Sequence, residues 1–380
     1  MKKLRLYTPG PTMVPEDVML EMAKPMDHHR TSAYQELLKS VTELLQYLFQ
    51  TKGTCLSITG SGTSAGEGAI VSCMPKGHKA LCVVGGKFGE RWAEICVAFD
   101  IPHTVLNVEW GHGATGDMIK SALEQDKEID TVICVHSETS TAAVCDLESI
   151  AQVTRDRGTL LIVDGITAVG SIPVKMDEWG VDVYFTGSQK ALMLPPGLAF
   201  AAVSDRAWDR IDKGGETHAY YNCYSAYRKA LEKNDAPYTP AITLMRGVHF
   251  VLKGVKERGL ENIWRETAMM AKATRAATEA MGMKVYAANP VDSVTALEVP
   301  EGVDEGKLRK MMRADYGMQI AGGQGHIKGK IIRVSHMGYC DAFDTISVIA
   351  ALELCLRKLG HDVKIGAGIT AAQAVFAEAM

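Results

Sequence analysis

The sequence has little that would mark a membrane, secreted or nucleic-acid-binding protein. Apolar runs such as Ala80–Val84 and Leu198–Val203 are far shorter than the roughly 20 residues that span a bilayer, so no membrane segment is expected. The start, Met1-Lys2-Lys3-Leu4-Arg5, has the charge of a signal peptide's first region. No apolar segment follows it, because Pro9-Gly10-Pro11 comes at once. The terminal Ala377-Glu378-Ala379-Met380 is no peroxisomal address, and a cytoplasmic location is expected. Charge of one sign is lacking too. The 41 basic and 45 acidic residues leave a formal charge of −4, which gives no ground for a nucleic-acid or membrane-surface partner. The nine cysteines are odd in number, scattered, and form no C-x-x-C pair. Reduced, buried thiols are expected rather than a disulfide framework. No Cys/His set has zinc-ligand spacing, and no metal is expected.

What is present is a chain of 380 residues, 47% hydrophobic and 23% charged, which excludes a disordered or collagen-like polymer. Its length suits two or three domains with a core that needs no disulfides. The middle alternates β-rich runs (Ala80–Val84, Thr131–Val135, Thr159–Val163, Val181–Thr186, Leu198–Val203) with helix-like stretches near 64–73, 88–100, 117–125 and 147–157. Strands alternating with helices predict an α/β fold with a mostly parallel sheet, and continuous apolar strands predict a sheet covered on both faces. The polar, Tyr-rich stretch 207–240, with His218-Ala219-Tyr220-Tyr221 and Pro237-Tyr238-Thr239-Pro240, reads as a long irregular excursion. A helical pattern over 241–281 breaks near Gly259. Strand-like 284–287, 293–299 and 331–336 then alternate with helices near 304–316 and 343–358. The expected division is a large domain over 51–260 and a small α+β domain over 261–380, with residues 1–50 packing on the small one. Residues 370–379 are mostly strong helix formers.

Four segments could carry chemistry. In Thr186-Gly187-Ser188-Gln189-Lys190-Ala191-Leu192-Met193-Leu194-Pro195-Pro196-Gly197 a β-rich run ends in a small polar turn with one lysine. Ligands bind beyond the carboxyl ends of parallel strands, and a lysine there can form a Schiff base with an aldehyde such as pyridoxal phosphate. Alone, the segment equally suits a solvated loop. Asp164, directly after the run Thr159–Val163, could hold a protonated pyridine nitrogen, or simply cap the next helix. Thr59-Gly60-Ser61-Gly62-Thr63-Ser64-Ala65-Gly66-Glu67-Gly68 could offer backbone N–H groups to a phosphate at a helix start, or be an ordinary Gly-rich turn. It is neither a P-loop nor a G-x-G-x-x-G after a first strand. Arg333, inside the apolar Lys330-Ile331-Ile332-Arg333-Val334-Ser335, needs an anion: a substrate carboxylate or a structural ion pair.

Taken together and in order, these segments resemble the class V pyridoxal-phosphate aminotransferases, close to the alanine–glyoxylate/serine–pyruvate group. The resemblance covers roughly residues 6–358. It runs through Tyr7-Thr8-Pro9-Gly10-Pro11-Thr12, Gly60-Ser61-Gly62-Thr63, Gly86-Lys87-Phe88-Gly89-Glu90-Arg91, His136-Ser137-Glu138-Thr139-Ser140-Thr141, Val163-Asp164-Gly165-Ile166 and Gly187-Ser188-Gln189-Lys190-Ala191-Leu192 to Arg333. It implies fold type I, with a large seven-stranded, mostly parallel domain and a small α+β domain. It also implies a homodimer with shared active sites. Lys190 would hold the cofactor through a Schiff base, and Asp164 would pair with its pyridinium nitrogen. Ser61, Gly62, Thr63 and Gln189 would hold the phosphate. Phe88, where many relatives have tryptophan, would stack on the ring, with Ile166 on the other face and Thr139 near the ring hydroxyl. Tyr238 and Thr239 would reach the neighbouring subunit's phosphate. Arg333 would bind the substrate carboxylate, in a pocket that the N-terminal stretch with Gly10 borders.

The resemblance implies transamination between a small amino acid, alanine or serine, and a small 2-oxo acid, glyoxylate or pyruvate, in two half-reactions. A donor with a second anion (aspartate, phosphoserine or an aminophosphonate) is the alternative. For that donor His29 or Arg30, in Asp27-His28-His29-Arg30-Thr31-Ser32, could read the extra charge, although the segment also suits a polar turn. A cysteine desulfurase on the same fold would need a cysteine on a loop before the arginine, and Ala321-Gly322-Gly323-Gln324-Gly325-His326 has none; Cys340 comes after Arg333. A non-catalytic binding protein would be expected to lack the lysine or the aspartate, and both are present.

Overall fold

The computed structural model of the chain describes residues 3–215 and 219–378. His218, Met1-Lys2 and the last two residues of the C-terminal tail lie outside them. Seven strands form the central sheet: β1 (Thr54–Gly60), β2 (Ala80–Val84), β3 (His103–Asn107), β4 (Thr131–Val135), β5 (Leu160–Asp164), β6 (Val183–Gly187) and β7 (Gly197–Val203). Their order is β1-β7-β6-β5-β4-β2-β3. β7 is antiparallel to β1 and β6, and the other neighbours are parallel.

Every residue of β2, β4, β5 and β6 is buried. The apolar run in these strands divides by the two-residue period of the pleat. Leu161 and Val163 of β5, like Val132 and Cys134 of β4, join a core with helices Ser32–Phe49, Gly116–Gln125, Leu147–Arg157 and Ile242–Arg258. Leu160, Ile162, Ile133 and Val135 face the opposite core, with helices Gly62–Cys73 and Lys87–Ala98. A smaller three-stranded antiparallel sheet of Val294–Glu298, Ile331–Ser335 and Ala321–Gly322 packs with Glu305–Tyr316, Ala342–Lys358 and Ala367–Glu378 around a third core. Gly259, at φ +82°, separates helix Ile242–Arg258 from helix Leu260–Ala280.

The N-terminal fifty residues divide between the two units. Arg5–Leu6 pairs with Met318–Gln319 beside the small sheet. Helix Ser32–Phe49, opened by the Thr31 hydroxyl accepting from Tyr34 N, packs on the large sheet through Leu38, Val41, Leu45 and Phe49. Stretch 207–240 is not a long irregular segment among its described residues: it holds most of helix Asp205–Lys213 and all of Tyr224–Leu231. Both are short, and their buried faces rest on Trp208, Ile211, Tyr224 and Tyr227, aromatic-rich positions that composition alone reads as loop. The expected strand 284–287 is only an isolated bridge, Val285 to Leu297. The tail helix Ala367–Glu378 docks by Ala372 and Val375 in the third core. All nine cysteines are free. Among the described residues no helix is long and apolar enough to cross a membrane.

Candidate active site

Lys190 lies in the return between β6 and β7, a turn tied at both ends. Ser188 N donates to Leu198 O at 2.9 Å, Leu194 N to Ser188 O at 3.1 Å, and the Ser188 hydroxyl to Pro195 O at 2.7 Å. The N-terminal segment closes over this turn, with Thr12 N donating to Gln189 O at 3.2 Å and the Thr12 hydroxyl to Lys190 O at 2.7 Å. Lys190 Nζ donates to Pro9 O at 2.6 Å. Gly10, at φ +131°, leaves the room: a Cβ there would stand 2.2 Å from that nitrogen. Burial lowers the Lys190 ammonium to about 8, Arg333 and Arg91 act in the same direction, and Asp164 opposes them.

Asp164 ends β5, buried to 3% exposure. Its Oδ1 accepts from Ile166 N at 2.8 Å, and no cation stands within ion-pair distance among the described residues. Burial raises its carboxyl to about 7, against the Ile166 N–H, with Glu138 adding to the rise and Arg91 and Lys190 opposing it. The helix Gly62–Cys73 starts at Ser61 with no side-chain cap; Ser64 N donates to Ser61 O at 2.8 Å, and Gly62 N and Thr63 N, without a hydrogen-bond partner among the described residues, are open to an anion. Gly62 is needed here: a Cβ would lie 2.5 Å from Ile166 Cδ1. Gln189 Oε1 is buried without a partner, and it lies beside Gly187, as Gly62 N does. Thr63 accepts from Arg91 Nη1 at 3.3 Å, and that guanidinium lies 4.9 Å from the centroid of the half-buried Phe88 ring. The Thr139 and Thr167 hydroxyls are bonded at 2.8 Å.

Arg333 comes from the small sheet and is 6% exposed. The structural ion pair, one of the two alternatives from the sequence, is not found among the described residues. Nε and Nη2 donate to Gly322 O at 3.0 and 2.8 Å, and Nη1 to Thr139 O at 2.7 Å. No carboxylate is within ion-pair distance among the described residues. Burial lowers the guanidinium to about 10, and Glu138 opposes the shift. Backbone carbonyls thus aim the fork without neutralising it, which suits a carboxylate ligand.

Tyr238 and Thr239 make no hydrogen bond to Ser61, Gly62 or Thr63 among the described residues. Tyr238 stacks on Tyr221 at 4.9 Å, its hydroxyl donates to Tyr220 O at 2.8 Å, and Thr239 is exposed. Tyr221 in turn donates to Thr59 O at 3.2 Å, so the cluster adjoins the end of β1. Arg30 is at the surface in an ion pair with Asp235. Cys340 is capped by its own turn, Sγ to Met337 O at 3.7 Å, and burial pushes its thiol up to about 12, unlike an activated nucleophile. Sequence reasoning gave no role to Pro9, Thr12, Arg91 or Glu138. All four lie in or beside segments that carry the resemblance, but nothing in their spacing shows that they meet.

Residues 6–339 match the sequence model of the family described as aminotransferase class-V. An uncharacterized aminotransferase of Methanocaldococcus jannaschii is 41% identical over 96% of this chain and 95% of its own. The serine–glyoxylate aminotransferase of Methylorubrum extorquens is 34% identical over 98% of this chain and 96% of its own. The L-aspartate–glyoxylate aminotransferase of Paracoccus denitrificans is 32% identical over 97% and 95%. The crystal structure of ureidoglycine–glyoxylate aminotransferase from Bacillus subtilis matches with a TM-score of 0.94 at 29% identity, over 99% of each chain. By these matches, and with the lysine, aspartate and arginine in place, the chain belongs to the class-V aminotransferases.

Proposed function

We propose that the chain uses pyridoxal phosphate to move an amino group from a small amino acid, alanine or serine, to glyoxylate or pyruvate. The observation that carries this is the buried Arg333 fork, held by two carbonyls and left without a counter-charge, in electrostatic reach of Lys190. The residues fit the cofactor. An uncapped helix start offers N–H donors to a phosphate, the Gln189 side-chain amide beside it would donate through its NH2 group, and Asp164 is a buried carboxylate lacking a cation. When bound, pyridoxal phosphate supplies an electron sink that acidifies the donor's α-carbon.

The protein's own groups do the rest. Arg333 fixes the carboxylate shared by donor and acceptor, which sets the α-carbon's position. Lys190, once free, moves the proton. With a pKa near 8 it is already partly neutral at pH 7–8, as a base must be. Its hydrogen bond to Pro9 O gives the free amine a resting place. Asp164, whose carboxylate Ile166 N orients, would pair with the cofactor's protonated ring nitrogen.

Relatives named for serine–glyoxylate and aspartate–glyoxylate exchange support a glyoxylate acceptor, and the second of them makes aspartate the donor to compare. The homodimer belongs to the same reading, with Tyr238 and Thr239 serving the site of a second copy. Light scattering of the purified protein tests it.

The deciding experiment is an absorbance spectrum of the purified protein with pyridoxal phosphate, adding alanine, serine and aspartate singly without an oxo acid. The expected result is conversion of the visible band to that of the amine form by a small donor. No visible band, or the same band in Lys190→Ala, overturns the proposal.

A further inference from the structure

Glu138 carries no step in that reading, yet its carboxylate is fully engaged at 4% exposure. Oε2 accepts from Phe88 N at 3.2 Å and Gly89 N at 3.0 Å, the first turn of helix Lys87–Ala98. Oε1 accepts from Ser140 N at 3.1 Å and the Ser140 hydroxyl at 2.5 Å, and that hydroxyl oxygen accepts from Lys87 N at 3.0 Å. Gly86 makes room for this knot, since a Cβ there would fall 2.3 Å from Ser140 Oγ and 2.5 Å from Glu138 Cδ. The same turn is folded back on Glu138 O by Thr141 N and Ala142 N, at 3.1 and 2.8 Å. Between Glu138 and Ser140 sits Thr139, whose carbonyl holds Arg333 Nη1.

We propose that Glu138 is a positioning residue of the reaction: one buried carboxylate ties the helix that presents Phe88 to the turn whose carbonyl aims Arg333. The tie sets the spacing between the ring platform and the carboxylate anchor. The inference rests on the reading that Phe88 faces the cofactor and Arg333 takes the substrate carboxylate. A glutamine cannot substitute. It has one acceptor oxygen, and its amide nitrogen would point a donor at donors.

The test compares Glu138→Gln with Glu353→Gln. Glu353 is likewise buried and accepts from Gly366 N and Gly368 N at the start of the tail helix Ala367–Glu378, away from the site. Four quantities are read for each: Tm without cofactor, Kd for pyridoxal phosphate by fluorescence, KM for the amino donor, and Ki of acetate, whose carboxylate can engage Arg333. Glu138→Gln is expected to raise KM and the acetate Ki about tenfold or more and to weaken pyridoxal phosphate binding, as sub-ångström misplacement of a binding group does. Glu353→Gln is expected to lower Tm alone. The proposal is overturned if Glu138→Gln leaves KM, Ki and Kd unchanged, or if Glu353→Gln moves them equally. Arg333→Ala separates the two levels. Acetate inhibition that survives it overturns the carboxylate reading beneath, whereas acetate inhibition lost in Arg333→Ala but normal in Glu138→Gln overturns only the role of Glu138. Should Glu138→Gln fail to fold, Ser140→Ala removes one donor to the carboxylate and should shift Ki the same way by a smaller factor; no shift overturns the proposal.

Discussion

Lys190 Nζ donates to the carbonyl oxygen of Pro9 at 2.6 Å, across the space that Gly10 leaves by having no side chain. The residue that would do the chemistry and the segment that roofs it are 181 positions apart in sequence.

That relationship makes Gly10→Ala a sharp probe. The added methyl would overlap the amine and require an alanine at φ +131°. We expect kcat to fall about a hundredfold with Tm lowered by only a few degrees, because the strain falls on one surface-near turn. Steady-state kinetics beside a melting curve checks this. Normal turnover would mean that the amine never needs that space.

Asp164 gives a prediction with a pH sign. Its carboxyl is raised from 3.8 in the open chain to about 7 in the ligand-free protein. Between those values the native state binds the extra proton, so stability falls as pH rises from about 4 to 7, and the whole cost is present above 7. Asp164→Asn removes the charge. The ligand-free variant should match the wild type near pH 4 and become more stable than it by of order 4 kcal/mol at pH 8. Its transamination should drop by roughly two to three orders of magnitude. Melting curves across this pH range without cofactor check it. A Tm difference that stays flat with pH would refute the assignment.

Arg333→Lys keeps the charge but loses the planar fork. The lysine cannot bridge the Gly322 and Thr139 carbonyls as the guanidinium does. KM for the amino donor should rise about tenfold to a hundredfold, with a smaller effect on kcat. An unchanged KM would move the carboxylate site elsewhere.

Arg30→Ala should leave the preference between serine and aspartate unaltered. Its guanidinium is committed to Asp235 in an exposed pair, and such pairs contribute about 0–1 kcal/mol to stability. Competition between the two donors measures it. A lost preference for aspartate would restore the second-anion role suggested by sequence.

The parts of the fold that sequence reveals are those buried on both sides. β2, β4, β5, β6 and β7 are continuous apolar runs, and Asp164 and Lys190 stand out because they interrupt or follow such runs. β1 and β3 escape notice because they are the sheet's edges: β3 reads His-Thr-Val-Leu-Asn and is largely half-exposed, and β1 mixes Ser57 and Thr59 with its buried Leu56 and Ile58. The helices at 205–213 and 224–231 are short, and tertiary burial of tyrosines and a tryptophan defines them rather than period. At the site, residue types are legible but partners are not. That Arg333 rests on Gly322 and Thr139 carbonyls, or that Glu138 caps the helix of Phe88, depends on pairings 11, 194 and 50 residues apart.

The one reversed strand of the large sheet has a kinetic meaning. Because β7 runs back against β6, the backbone of Lys190 sits in a closed hairpin return, pinned at Ser188, Lys190 and Leu198, rather than on a free loop. The amine's travel is then confined to rotation about its own four-carbon stem, a side-chain event faster than any loop opening. In the proposed reaction, the motion of the Lys190 amine should therefore not be the step that limits turnover.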